Sequence, residues 1–200
     1  MKGLVKGAAR LFFTLLAIPF WLLYRIESAI IGKSQAFSGY SQLFSLIPGI
    51  IGVYFRFAFY KLTLSYLGAD AYIGFGVSIS NPNTRIGRGA YIGPFCNLGL
   101  CTIEDDVLLG AGVHIMSGLK QHGFDDLNVP IREQKGKLEN IRIGRDSWVG
   151  SQAVIGAHIG EKCVIGAASF VNREIPAYSI AAGNPARVIR DRRQAIPAQK

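Results

Sequence analysis

Apolar residues in this chain follow two different rules. From Ile73 to Val171 an aliphatic residue recurs about every six positions, usually with Gly after it: Ile73–Gly74, Ile86–Gly87, Ile92–Gly93, Leu98–Gly99, Leu109–Gly110, Ile143–Gly144, Val149–Gly150, Ile155–Gly156, Ile159–Gly160 and Ile165–Gly166. Ile79, Ile103, Ile115 and Val171 keep the beat without the glycine. A six-residue period predicts a parallel β-helix in which three short strands make one triangular coil. The aliphatic residue points inward, and the small residue after it is expected to ease the corner. The beat fails badly once, between Ile115 and Ile143, and is shortened once, in the turn Gly156–Ala157–His158 before Ile159.

Before Ile73 there is no such beat. Residues 11–24 are uncharged and bracketed by Lys2, Lys6, Arg10 and Arg25. That run is short of the ~20 residues that span a bilayer, and Pro19 is expected to kink it. A second uncharged stretch, Ser34 to Phe55, contains Pro48 and reads as a broken helix. Phe55, Phe57, Phe59 and Tyr60 then alternate with Arg56 and Lys61 as in an interfacial amphipathic segment. Three readings stand: a cleaved signal peptide, for which no Ala-x-Ala site follows; helices packed only on protein; and an apolar region that associates with the membrane. The last is preferred, because so many large apolar residues otherwise need a partner surface. The division expected is a helical membrane-associating region over 1–70, a β-helix over 71–193 with an insertion at 117–140, and a tail over 194–200.

Charge sharpens this division. Residues 1–70 carry seven Lys and Arg against Glu27 and Asp70, the body to residue 186 carries ten of each sign, and the remainder adds Arg187, Arg190, Arg192, Arg193 and Lys200 against Asp191. With no basic stripe interleaved with aromatics in the neutral body, nucleic acid is a poor partner. The first cluster suits an anionic membrane surface and the second a phosphate-rich ligand. Cys96, Cys101 and Cys163 make no disulfide or metal-binding pattern and read as packing residues.

The repeats, the interrupting loop with Ser117–Gly118 and His122, the stretch Asp146-Ser147-Trp148-Val149-Gly150-Ser151 and the ending Ala182-Gly183-Asn184-Pro185-Ala186-Arg187-Val188-Ile189-Arg190 together resemble the hexapeptide-repeat acyltransferases, in particular their sugar O-acetyltransferase branch. The resemblance covers about residues 70–193. It implies a left-handed β-helix, a homotrimer, and acetyl-CoA bound between neighbouring β-helices, with no metal. Three β-helices packed around an axis would also bury one flat face of each.

Acyl transfer to a hydroxyl needs a base and a place for the oxyanion. Of the three histidines, His122 lies in the long loop, where no repeat position dictates its identity, and it matches the family's catalytic histidine. A merely solvated loop histidine is the alternative. His114 reads as a solvent-facing or interface residue and His158 as structural. The resemblance also implies that Asn97 contacts the acceptor or the catalytic region; a corner asparagine in left-handed backbone is the competing reading. Asp125, or Asp126, is a candidate to orient His122 or to bind sugar hydroxyls. Trp148, Gly150, Ser151 and Ala168 are expected along the pantetheine, with Ala168 narrowing its channel. Arg173, Arg187 and Arg190 are expected at the CoA phosphates, where a guanidinium can make two parallel hydrogen bonds.

The function expected is a membrane-associated, acetyl-CoA-dependent O-acetyltransferase on the cytoplasmic face of the cell membrane. Its acceptor would be a sugar of a cell-envelope polysaccharide or its lipid-linked precursor. N-acetylation of a nucleotide-linked amino sugar and a non-catalytic β-helix scaffold are the alternatives. A three-histidine metal enzyme of the carbonic anhydrase type is disfavoured by the histidine spacing.

Overall fold

The computed structural model describes residues 2–194, and among residues 2–5 the main chain only. All but the first residue of the expected tail, Lys200 included, and the Lys2 side chain lie outside the described residues. The chain forms three helices, α1 (Lys2–Ile31), α2 (Lys33–Ser45) and α3 (Gly49–Thr63), followed by a left-handed parallel β-helix.

Each of the first four coils contributes one short strand to each of three sheets, and above them the first face continues only as isolated bridges at Ile159 and Ile175. The first face carries Tyr66–Leu67, Arg85–Ile86, Cys101–Ile103 and Ile141–Ile143. The second carries Tyr72–Ile73, Tyr91–Ile92, Leu108–Leu109, Trp148–Val149, Val164–Ile165 and Ser179–Gly183, and the third Ser78–Ile79, Asn97–Leu98, His114–Ile115, Val154–Ile155 and Phe170–Val171. The beat residues are the inward ladders. Ile73, Ile92, Leu109, Val149, Ile165 and Ala181 are in register on the second face, and Ile79, Leu98, Ile115, Ile155 and Val171 on the third. All are buried, and stacked aliphatic residues at this depth are the main stabilising term of the coil. The coil begins one strand before Ile73, since Leu67–Gly68 keeps the same six-residue step.

The glycine after each aliphatic residue does a different job from the one its position suggested. A Cβ on Gly74 would lie 2.8 Å from the Pro94 nitrogen, and one on Gly150 would lie 2.5 Å from the Ala167 nitrogen. The glycines therefore mark where one coil's backbone presses on the next. The corner itself turns two residues later, in the left-handed region, and is taken by Phe95, Asp106, Asp146, Gln152, Lys162 and Ala168 among others.

The helices cover the first coil. Arg10, Phe13, Ala17, Tyr24 and Ser28 fall on one stripe of α1 at helical spacing. Along it Arg10 lies over the Phe57 ring, Phe13 stacks on Tyr54, and Tyr24 meets Phe37, Tyr40 and Phe59. α1 runs through Pro19 as one element; Pro19 is exposed, so its missing donor falls outside the packed stripe. The second uncharged stretch does break at Pro48, between α2 and α3.

α3 is not the interfacial segment that its aromatic and basic alternation suggested. Arg56, Phe57, Phe59 and Tyr60 are buried between the other helices and the coil. The Arg56 guanidinium is tolerated there because Nε donates to the Ile73 carbonyl at 3.0 Å and Nη1 to those of Phe44 and Ile47 at 3.1 and 2.8 Å. Two of these acceptors sit at the C-terminal end of α2, where the helix dipole favours a cation. The exposed apolar surface belongs to α1 instead: Leu11, Phe12, Leu15, Leu22, Leu23, Ile26 and Ile30 point away from the protein, joined by Leu46, Ile50 and Ile51.

Candidate active site

The insertion leaves the coil at the corner between the third and first faces. Its base is zipped by two main-chain hydrogen bonds, Lys137 N–H to the Lys120 carbonyl at 2.6 Å and Glu139 N–H to that of Ser117 at 2.8 Å. The buried Ser117 Oγ accepts the Leu100 N–H at 2.9 Å and ties the base to the coil below. Leu119 reaches the next coil, where a Cβ on Gly156 would lie 2.5 Å from its Cδ2.

His122 follows this base on the exposed outward part of the loop. Asp126 is occupied: its carboxylate accepts the Asn128 N–H at 2.9 Å, and its main chain is held by the Gln134 side chain, which also donates to the Val129 carbonyl at 2.8 Å. Gln134 is thus a shaping residue of the loop that sequence reasoning missed; a lone Gln in a polar loop carries no signal. Among the described residues, no hydrogen bond or ion pair joins His122 to Asp125, Asp126 or Asn97. Asp125 is exposed and unbonded among them.

Asn97 is extended, on a strand, with its side chain outward; the left-handed residue of that corner is Phe95. The backbone reading of Asn97 is therefore removed. It is in register with His114 on the next coil, so an amide and an imidazole stand side by side on the third face, between Ser78 below and Val154 above. Neighbouring strands lie about 4.8 Å apart. Sequence spacing hid this pair, because the two residues are adjacent only once the coil is wound. His158, by contrast, accepts the Arg142 N–H through Nδ1 at 3.1 Å, the structural role expected of it.

Of the residues expected along the cofactor, Ser151 and Ala168 fall at the other edge of the third face. Trp148 is exposed on the second face, in register between Leu108 and Val164. Ser151 and Ala168 turn the corner from the second face to the third, and the Ala168 N–H donates to the Ser151 carbonyl at 2.9 Å. Ala168 has φ 54 and is exposed, so it turns this corner in left-handed backbone. Gly150 is dictated by coil stacking. Arg187 and Arg190 lie on the closing strand Ala186–Asp191, which pairs antiparallel with Ser179–Gly183. Arg173 lies on the opposite corner, the one that carries the insertion. Among the described residues, Arg173, Arg187 and Arg190 have no carboxylate partner. Arg88, Arg142 and Arg145 are instead held by Asp105, Glu104 and Glu161.

The cysteines are buried, and burial pushes the Cys96 thiol up to about 11 and the Cys101 thiol to about 12. None is a nucleophile near His122. Among the described residues, no three His, Cys, Asp or Glu side chains are grouped so as to hold a metal ion.

The fold and this constellation define a class. Residues 140–173 match the family described as the hexapeptide repeat of succinyl-transferase. The chain is 31% identical over 147 residues to a chloramphenicol acetyltransferase of Klebsiella aerogenes, covering 57% of this chain and 70% of that protein. It is 33% identical over 140 residues to the galactoside O-acetyltransferase of Escherichia coli, covering 66% of each. A probable acetyltransferase of Mycobacterium tuberculosis is 35% identical over 109 residues, and there the match spans 54% of this chain and 35% of that protein's length. Among solved structures, a maltose O-acetyltransferase of Clostridium difficile has a TM-score of 0.67 at 21% identity, covering 79% of this chain and 87% of that one. A hexapeptide-repeat acetyltransferase of Vibrio cholerae in complex with acetyl coenzyme A has a TM-score of 0.64 at 19% identity, covering 84% and 92%. The protein belongs to the hexapeptide-repeat acetyltransferases.

Proposed function

We propose that the protein transfers an acetyl group from acetyl-CoA to a sugar hydroxyl of a cell-envelope polysaccharide or its lipid-linked precursor. It would work as a homotrimer at the cytoplasmic face of the cell membrane. The observation that carries the reading is that the two halves of the site occupy opposite edges of one face. His122 and Arg173 are on the corner with the insertion, and Ser151, Ala168 and the closing strand with Arg187 are on the other. One chain cannot bring them together, whereas a second copy packed edge to edge can. Phe124, Leu127 and Ile131 at the loop tip are exposed apolar residues that such a neighbour would cover.

In this assembly His122 accepts the proton of the acceptor hydroxyl as its oxygen forms a bond to the thioester carbonyl carbon. The tetrahedral oxyanion then collapses, the C–S bond breaks, and the CoA thiolate leaves and recovers the proton from the imidazolium. Transfer is direct, because no Ser or Cys is presented to a histidine as a covalent nucleophile.

Membrane association is supported by the outer face of α1. Both ends of α1 are tied to the protein, through Lys6 and Arg10 to Asp70 and through Tyr24 to the aromatic cluster of α2 and α3. A helix held at both ends favours lying in one leaflet over leaving the protein to span the bilayer.

The test is acetyl-CoA turnover by the purified full chain with hydroxyl sugars and amino sugars as acceptors. His122→Ala should lower transfer to hydroxyl acceptors by roughly 10²–10⁴-fold, the usual contribution of a general base, with unchanged thermal unfolding. Near-full activity of that variant rejects the mechanism, and a preference for amines selects N-acetylation instead.

A further inference from the structure

A cavity of about 540 Å³ opens where the C-terminal half of α1 meets the start of α2 and the end of α3. Trp21, Tyr24, Arg25, Ser28 and Lys33 line it. Tyr24 is 2% exposed; its buried hydroxyl lies beside the buried hydroxyl of Ser28, one turn away, and neither has a partner beyond the other. Two hydroxyls that can satisfy only each other still leave one buried O–H unmatched, which is costly unless a ligand completes it. Among the described residues, neither Arg25 nor Lys33 has a carboxylate partner; Arg25 is held over the Trp21 ring at 5.5 Å. No acidic residue lines the cavity, as Glu27 faces a different depression beside Tyr40 and Leu43. α2 begins at Lys33 after Gly32, which offers no side-chain cap, so its first N–H groups and the positive end of its dipole add to the same field.

The position of the cavity on α1 decides what kind of anion it suits. At 100° per residue, Tyr24 and Ser28 end the packed stripe, Trp21 and Arg25 sit beside it, and Ala29, also in the lining, leads directly to the exposed Leu22 and Ile26. The cationic, donor-rich cavity thus lies on the margin of the apolar face, at the depth a lipid phosphate occupies when that face is in the acyl region.

We propose that this cavity binds the phosphate of an anionic membrane lipid, with Arg25 and Lys33 balancing its charge, Tyr24 and Ser28 donating to its oxygens, and the acyl chains lying along Leu22, Ile26 and Ile30. The proposal rests on the membrane reading above and is separable from it. It gives the helical region a lipid preference as well as an attraction to apolar surfaces.

Vesicle flotation of the full chain tests it, using phosphatidylcholine vesicles with and without phosphatidylglycerol. The chain should bind both, with at least tenfold tighter binding when phosphatidylglycerol is present. Ser28→Leu, which fills the cavity without changing charge, and the double variant Arg25→Gln with Lys33→Gln should each remove that preference. Both should keep binding to neutral vesicles and an unchanged melting temperature. If Ser28→Leu keeps the full preference, the attraction is generic surface charge and the site is overturned. If the wild-type chain binds the two vesicles equally, the site is overturned while the membrane reading stands. If it floats with neither, the membrane reading itself fails. Stabilisation by soluble glycerol phosphate, abolished by Ser28→Leu, without any vesicle preference would assign the cavity to a soluble phosphate and overturn the lipid.

Discussion

Ser41 Oγ lies 2.7 Å from Tyr60 Oη, and the same oxygen accepts the Ile79 N–H at 2.8 Å. One small hydroxyl on α2 thereby joins α3 to the first strand of the third face, with both side chains fully buried. Ser41→Ala leaves a buried phenol and a buried N–H unpaired and should destabilise the fold by about 1–3 kcal/mol. Chemical denaturation, with Ser41→Thr as the partial rescue, measures it.

The same pair sets an alkaline limit. Burial raises the Tyr60 phenol to about 12 from the ordinary 10.0. The unfolded chain then loses this proton before the folded chain does, so the contribution is complete below pH 10 and is lost as pH rises from 10 towards 12. Stability of the native chain should fall across that window, and Tyr60→Phe should flatten the fall.

Arg56 donates to three carbonyls, those of Ile73, Phe44 and Ile47, and of these the Phe44 carbonyl has a further donor in the Ile47 N–H at 3.4 Å. Replacing it with Met keeps much of the volume but strands the Ile73 and Ile47 carbonyls, and should cost roughly 2–3 kcal/mol. Arg56→Lys should recover little, because one ammonium cannot span the guanidinium's separate directions. A thermal melt of each variant checks both statements.

Leu119 pins the loop to Gly156. Leu119→Ala removes only a partly exposed side chain, so folding should be preserved, but the segment carrying His122 should wander. A displacement of about 1 Å at a catalytic group can cost up to 10²-fold, and kcat for acetyl transfer should fall roughly tenfold or more. Unchanged kcat would show that the loop is positioned from elsewhere.

Cys96, Cys101 and Cys163 are buried, and burial raises each thiol. Native protein at pH 8 should leave all of them unalkylated by iodoacetamide, whereas denatured protein should react at each. Mass spectrometry of the two samples distinguishes the cases.

The coil was legible in the sequence because one residue type at one spacing serves one physical need: every beat residue from Ile73 to Val171 is in the core. The glycines were read with the right identity and the wrong reason, since close approach between coils involves residues sixteen or more apart and leaves no local trace. Arg56 was misassigned to an interface because its neutralisation by carbonyls depends on where α2 ends. Asn97 and His114 illustrate the same limit for the site, as their adjacency comes from winding. His122 stood out only because it interrupts a rule. Gln134 obeys no rule and was invisible.

The closing strand, Ala186–Asp191, runs against its neighbour, whereas every other strand pair in the coil is parallel. A parallel solenoid can in principle be extended by any chain that repeats the same step. A reversed final rung presents hydrogen-bonding groups in the opposite sense and a different spacing, so it offers no template for a further coil. The reversed strand therefore closes the second face by direction of travel, and a further parallel rung has no matching template there, whatever side chains that edge carries.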